Sequence, residues 1–542
     1  MRVKSMNWFG LKTAVLTGAV VSLICGSAAQ AQVQPAVSSV GQHDISLPLR
    51  EMAAIIRHSR KSEKEVGEPD EKGHSGARPV ALKKVGVQVP VKDAVAQRSR
   101  PTKLSTIPGL SFDGVPGVSY RVPDTNGAVG ATQYVQWVNT RYAVYDKTSG
   151  KKVLGLVLGN ALWQGFGGPC QNTNEGDIIA LYDKAAGRWI MTHRAAQNGG
   201  PYLECVAVST TSDATGAYYR YAFPNPFNNY FTDYPKLGVW PDGYYYSADL
   251  QDISNHFRFM GTMVCVFDRN NMLSGNAATE QCFQIANVNI YSFLPSDVDG
   301  LTSPPPGSPN YFVNLDAANS ALDFWQFHVD WTNPSNSTFI GPSIMPVAAF
   351  NQACQGGGVC VPQLNSAQLL DSLGDRVMYR LSYRNFGSYE SLLVTHSITS
   401  NSGASVGVRW YEIRNPQGNP PTLYQQGTFA PDNNFRWMPS IAQDKVGNIA
   451  VGYSVSSSSM YPAIRYTGRI PSDPPGTMES ENSILEGTGA ELSGNGRWGD
   501  YSSMTVDPVD DCTFWYTNEY YSVSSMRNWR TRIASFKFPS CQ

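Results

Sequence analysis

Arg497-Trp498-Gly499-Asp500-Tyr501 places a cation, an acid or base and a phenol within one short phrase. A guanidinium can grip a carboxylate in bidentate fashion, and a positioned carboxyl or phenol can move a proton. Arg436-Trp437 repeats the start of that phrase without the Asp and Tyr. The added pair therefore makes the 497–501 segment the stronger functional candidate. Asp233-Tyr234 repeats its second half, and Asp124, Asp177, Asp299 and Asp375 open comparable phrases elsewhere. Downstream of these come Thr192-His193, Thr395-His396 and Glu519.

Such a set of carboxylates supports three kinds of chemistry. Aspartates can simply cap turns by accepting backbone N–H bonds. They can hold a hard cation such as Ca²⁺, which takes several oxygen ligands; Asp177, Asp299 and Asp375 are the residues assigned to that role. They can also work as acid and base in glycoside cleavage, because crowded carboxylates drive their pKa values apart. The catalytic set is then Asp124, Asp233, Asp500, Tyr501, His193 and Glu519. Arg436, Arg497, Tyr234 and Trp498 would bind substrate, with core packing the plainer role for Trp498, Trp137 and Trp240. His, Tyr and Arg together also make the set needed for a polysaccharide lyase. Gly-x-Ser-x-Gly, a phosphate loop and a dinucleotide fingerprint are all absent, and no cysteine or histidine spacing suits zinc.

These residues need elements that bring them together. From about residue 105 the chain reads as short runs rich in Tyr, Trp, Val and Thr, punctuated by turn residues, with no helical period. The runs recur. Asp124-Thr-Asn-Gly-Ala-Val-Gly leads to Tyr134-Val-Gln-Trp-Val, Asp177-Ile-Ile-Ala-Leu-Tyr-Asp to Arg188-Trp-Ile-Met-Thr, and Asp500-Tyr-Ser-Ser-Met-Thr-Val to Thr513-Phe-Trp-Tyr. Weaker copies start near Asp299, Asp375 and Arg436. The average spacing of about 63 residues suits a four-stranded propeller blade with generous loops. The expected fold is an all-β, seven-bladed β-propeller, with six blades as the competitor. Its inner strands would place Asp124, Asp177, Asp233, Asp299, Asp375 and Asp500 around one rim.

Pro123-Asp-Thr-Asn-Gly-Ala-Val-Gly, Asp233-Tyr-Pro-Lys-Leu-Gly-Val-Trp-Pro-Asp-Gly-Tyr-Tyr and Arg497-Trp-Gly-Asp-Tyr-Ser-Ser-Met resemble a set of secreted bacterial β-propellers, broadly sialidase-like in shape. The resemblance covers about residues 110–540. It implies the fold and no particular activity. The Asp-box of true sialidases, S-x-D-x-G-x-T-W, is missing, and Ser212-Asp213-Ala-Thr-Gly216 is a distant echo.

The N-terminus reads as an export signal. Arg2, Lys4 and Lys12 precede the apolar run Ala14–Ser27 and the small-x-small site Ala29-Gln30-Ala31. Residues 1–31 are thus the expected signal peptide, 32–109 a disordered leader or pro-segment, and 110–542 the propeller. Cys25 falls inside the signal. The other eight cysteines, Cys170, Cys205, Cys265, Cys282, Cys354, Cys360, Cys512 and Cys541, are an even number in an exported chain and imply disulfides, with neighbours in sequence pairing. Residues 1–49 carry a net +2 and 50–103 a net +6 within a chain of −1, which leaves −9 on the rest. An acidic domain argues against nucleic acid. No later segment is long and apolar enough to span a bilayer. The expected partner is an extracellular glycan or cell-surface ligand, the expected location secreted or periplasmic, and the expected state monomeric. The expected activity is glycoside hydrolysis or polysaccharide elimination, with a non-catalytic binding propeller as the alternative.

Overall fold

A computed structural model describes residues 34–59, 91–97, 103–117, 122–174, 176–196, 200, 202–227, 230–418 and 421–542. The signal peptide, its cleavage site and leader residues 60–90 lie outside the described residues. In the remainder, β-branched and aromatic residues alternate along short strands and turn back on themselves, giving antiparallel meanders.

Seven such meanders follow one another among the described residues. Their first strands are Asn126–Val129, Ile179–Asp183, Phe231–Trp240, Leu294–Asp299, Met378–Asn385, Phe435–Gln443 and Ser503–Val506. Each first strand packs beside that of the next meander, and the last packs beside the first, so the sheets close on themselves. That arrangement is a β-propeller, in which closure removes the open edges of a flat sheet. The fourth and fifth meanders are also joined by parallel pairing of Ser296–Asp299 with Leu381–Arg384. The large aromatics fill the space between sheets: Trp137, Trp163, Trp189, Trp240, Trp410, Trp437, Trp498 and Trp529 are all fully buried.

Part of the leader is ordered, contrary to the expectation for 32–109. Ala36–Ser39 pairs with the outer strand Thr279–Ile285 of the third meander, and Gln42–Ile45 with the outer strand Tyr218–Pro224 of the second. A helix, Leu49–Ser59, follows, with Leu49, Met52 and Ala53 buried. Ala96–Gln97 then pairs with Thr428–Phe429 of the fifth meander. Finally Ile107–Asp113 serves as the fourth strand of the last meander, beside Arg530–Lys537. These pieces are too polar to fold alone, but an existing sheet edge supplies the backbone partners they lack.

The four disulfides are Cys170–Cys205, Cys265–Cys282, Cys354–Cys360 and Cys512–Cys541, the neighbour pairing expected from the sequence. No helix among the described residues is long and apolar enough to cross a membrane.

Candidate active site at the start of the inner strands

The turn into an inner strand recurs from meander to meander. A residue with positive φ stands just ahead of the strand at Asp124, Asp177, Ser292 and Asp500. In the third and sixth meanders it is Tyr234 and Met438, each followed by Pro235 or Pro439 where the strand register shifts. Proline cannot donate to the ladder and so falls in the irregularity. Aspartate tolerates the left-handed region better than most residues. The repeated Asp that the sequence displays is thus partly a turn requirement. It also delivers a carboxylate to the same place each time.

Five of the six expected rim aspartates come together there, with Asp249 added from the strand paired to Asp233. The Nη1 of Arg194 lies 2.5 Å from Asp177 Oδ2, 3.4 Å from Asp233 Oδ1 and 2.7 Å from the carbonyl of Thr232. Asp375 accepts from Nε and Nη2 of Arg376, each at 3.0 Å. Arg497 grips Asp500, and Asp124 accepts from the Nδ2 of Asn139 at 3.2 Å. Below them Lys236 is fully buried, with its Nζ 3.4 Å from the centre of the Tyr234 ring and 4.2 Å from that of Tyr501. Arg376 covers the Tyr234 ring as well, at 4.5 Å.

The electrostatics separate the two carboxyls that share Arg194. Burial and the charge of Asp177 push Asp233 above the usual carboxylate range. Burial opposes the charge of Asp177 too, yet Arg194 and a hydrogen bond from Asp233 hold it below that range. Between its two pKa values the pair holds a single proton, favoured on Asp233. Burial drops the ammonium of Lys236 to about 7, although Asp177, Asp124 and Asp249 partly offset the effect. Burial raises the Tyr234 and Tyr501 phenols, and neighbouring aspartates add to the rise. Asp177, Asp233, Asp500 and Arg497 keep between 13% and 23% of their side chains exposed, so they form the solvent-facing surface of the cluster.

Several expected site residues do other work. Asp299 stands at the far end of its strand, because the turn there is made by Ser292; Lys184 and Arg380 neutralise it. Arg436 is fully buried between Asp432 at 2.8 Å and Glu481 at 2.9 Å, a fixed ion-pair network rather than a substrate clamp. Trp498 is a core residue that donates from Nε1 to Ser454 Oγ at 3.0 Å. His193 packs on Trp163 at 4.3 Å, and burial drops it to about 3, too low for a base near neutral pH. His396 is likewise buried, 2.8 Å from the hydroxyl of Tyr411. Glu519 accepts from Gly499 N at 2.6 Å; burial keeps its carboxyl well above the ordinary range and so protonated beside Asp500.

Of the three aspartates assigned to calcium, Asp299 stands apart from the other two, and each is matched by a protein cation: Asp177 by Arg194, Asp299 by Lys184 and Arg380, Asp375 by Arg376. Among the described residues the one grouping with metal-ligand spacing is Cys265, Glu280 and Cys282, and its two sulfurs are bonded to each other.

Asp249 was expected at the end of a returning strand on the same rim, whereas Arg194, Lys236 and Arg376 were not foreseen. Two of them adjoin residues that were: Arg194 follows His193, and Arg376 follows Asp375. Successive side chains of a strand point to opposite faces. In Arg188–Ala196 that alternation sends His193 into the aromatic core and Arg194 to the aspartates.

No family model matches the chain, and no curated protein matches it. Solved structures share low-level similarity. Polysaccharide lyase Uly1 aligns over 81% of this chain and 99% of its own at 11% identity and a TM-score of 0.37. An endo-arabinase from Bacteroides thetaiotaomicron aligns over 68% and 100% at 10% identity and 0.29. A subtype N11 neuraminidase-like protein from a flat-faced bat isolate aligns over 76% and 99% at 9% identity and 0.32. Likeness at this level transfers no chemistry; the site must be judged on its own residues.

Proposed function

We propose that this protein is an exported, monomeric, seven-bladed β-propeller that hydrolyses an extracellular glycan at the cluster where its inner strands begin. The observation that carries this reading is the Asp177–Asp233 pair. Two carboxyls share the one Arg194 nitrogen and have their pKa values pushed in opposite directions, which equips Asp233 as a general acid. Asp233 would protonate the leaving oxygen, and Asp177, hydrogen-bonded to it, would set its proton affinity rather than face it across the sugar. Arg497 and Asp500 would orient the sugar hydroxyls. The paired disulfides and the signal-like N-terminus support export.

A second reading rests on Lys236. A lysine that is partly neutral near pH 7 against two tyrosines can abstract a proton, and a lyase would use it on a uronate. Elimination also needs a cation to neutralise the substrate carboxylate. Here Arg194, Arg376 and Arg497 are all engaged by aspartates, which favours hydrolysis. Incubation of the purified protein with a panel of polysaccharides tests both. New reducing ends without an ultraviolet-absorbing unsaturated product mean hydrolysis; the unsaturated product means elimination. Binding without either product means a non-catalytic propeller. Under the hydrolytic reading Asp177→Asn and Asp233→Asn each cut turnover sharply, while the remote Asp330→Asn does not.

A further inference from the structure

The charges at the inner-strand starts do not balance. Asp124, Asp177, Asp233, Asp249, Asp375 and Asp500 face Arg194, Arg376, Arg497 and Lys236, an excess of two carboxylates before any titration is considered. All three guanidiniums already hold an aspartate. A uronate or other anionic sugar would have to displace one of those aspartates and leave it unpaired in a poorly solvated place, which is costly. The solvent-facing positions are weighted the same way, toward Asp177, Asp233 and Asp500.

A second observation points to a ligand. The hydroxyls of Tyr234 and Tyr501 are buried without a hydrogen-bond partner, and both phenols lie in the field of these aspartates. Buried hydroxyls ordinarily find partners. The chain's own ammonium, Lys236 Nζ, already occupies the faces of both rings, so it is their hydroxyls that these phenols can offer a ligand.

We propose that the glycan taken at this site carries free amino groups, read as ammonium by Asp177 and Asp500, with the Tyr234 and Tyr501 hydroxyls completing its hydrogen bonds. This rests on the reading of the cluster as a glycan site. It deepens that reading by excluding uronates and ranking neutral sugars below amino sugars, since the excess charge attracts cations and repels anions.

The test is calorimetric titration of the full-length protein, at a pH where the amine is protonated, with three oligosaccharides of equal length. These are a glucosamine oligomer, its N-acetylated counterpart and a uronate oligomer. The glucosamine oligomer should bind at least about tenfold more tightly than the acetylated one, with the uronate weakest. The preference should shrink as salt rises and in Asp500→Asn. Equal or tighter binding of the acetylated or uronate oligomer overturns the amino-sugar assignment while leaving the glycan site standing. A preference that is unchanged in Asp500→Asn and in salt also overturns it. Binding of none of the three removes the glycan reading itself.

Discussion

Arg497 and Asp500 pair in the structure, yet both keep contact with solvent, with 23% and 13% of their side chains exposed. Asparagine in place of Asp500 keeps the shape of the side chain and an acceptor oxygen for Arg497, so the substitution removes the charge without emptying the site. Asp500→Asn should therefore shift the melting temperature by no more than a few degrees while sharply weakening ligand binding; a large thermal loss with binding intact would make the pair purely structural. The Asp177–Asp233 pair sets the pH profile. Turnover needs the proton on Asp233, whose pKa is raised, and the charge on Asp177, whose pKa is lowered. Activity should fall at low pH as Asp177 protonates and at higher pH as Asp233 ionises, with the descending limb above the usual carboxylate range. Asp177→Asn should remove the acidic limb from whatever activity remains. Lys236 gives a stability test. Its folded pKa of about 7 lies below the ordinary lysine value of 10.5, so the folded state binds fewer protons between those values and wild-type stability gains as pH rises through that window. In Lys236→Met the buried cation is gone. The variant's advantage in melting temperature should be largest near or below pH 7 and fade toward 10.5. Asp124, Asp177 and Asp500 were legible in the sequence because the same turn, with an aspartate at positive φ, precedes the strand at each. Lys236 was not, since it follows Pro235 inside a phrase that reads as apolar strand, and burial beneath the carboxylates is a tertiary fact.

Strand-level recurrence was readable wherever a Tyr- or Trp-rich run followed a turn, and it failed where the turn residue was not Asp. Ser292 replaces Asp in the fourth meander and Met438 in the sixth, so Asp299 and Arg436 were taken for the start of the strand in their place. The leader strands Ala-Val-Ser-Ser and Gln-His-Asp-Ile carry no strand signal of their own, because their stability comes from the sheet edges they join. These leader pieces also supply counterions. Asp93 is 2.7 Å from Arg409, which is fully buried, and Asp44 accepts from Arg220 at 2.6 and 2.8 Å. Asp93→Ala would strand a buried guanidinium and should cost about 3–5 kcal/mol. Asp44 is one-third exposed, and Arg220 also donates to the carbonyls of Leu162 and Gln164. Asp44→Ala should cost only about 1 kcal/mol. Chemical denaturation of both variants checks the order; equal losses would mean that the leader contacts do not differ in burial as described.

At the level of the whole molecule, the ring depends on one leader strand more than on the others. Ala36–Ser39 and Gln42–Ile45 join meanders that already have four strands, whereas Ile107–Asp113 is the fourth strand of a meander with only three of its own. The sequence hid this, because Ile-Pro-Gly-Leu-Ser-Phe-Asp stands far from the C-terminal strands it completes. The Cys512–Cys541 bond ties the end of the chain to the same meander. Closure therefore joins the two ends of the propeller, so the first and last meanders should be lost together rather than one after the other. Two truncations separate the roles. A chain that lacks residues 34–59 but keeps 91–542 loses added edges, the Asp44–Arg220 pair and the helix cover. It should fold with a lowered melting temperature and retain the pH profile of the intact site. A chain that begins after Asp113 lacks the closing strand. The packing of Phe112 against Tyr145, at 5.2 Å between ring centres, and the burial of Leu104 are lost with it. Asp124 and Asp500 stand on the two meanders that meet at that closure, so opening it should also separate the site. The second truncation should yield no cooperative thermal transition and no ligand binding, as read by calorimetry. A folded, binding-competent product would show that the ring closes without its N-terminal strand.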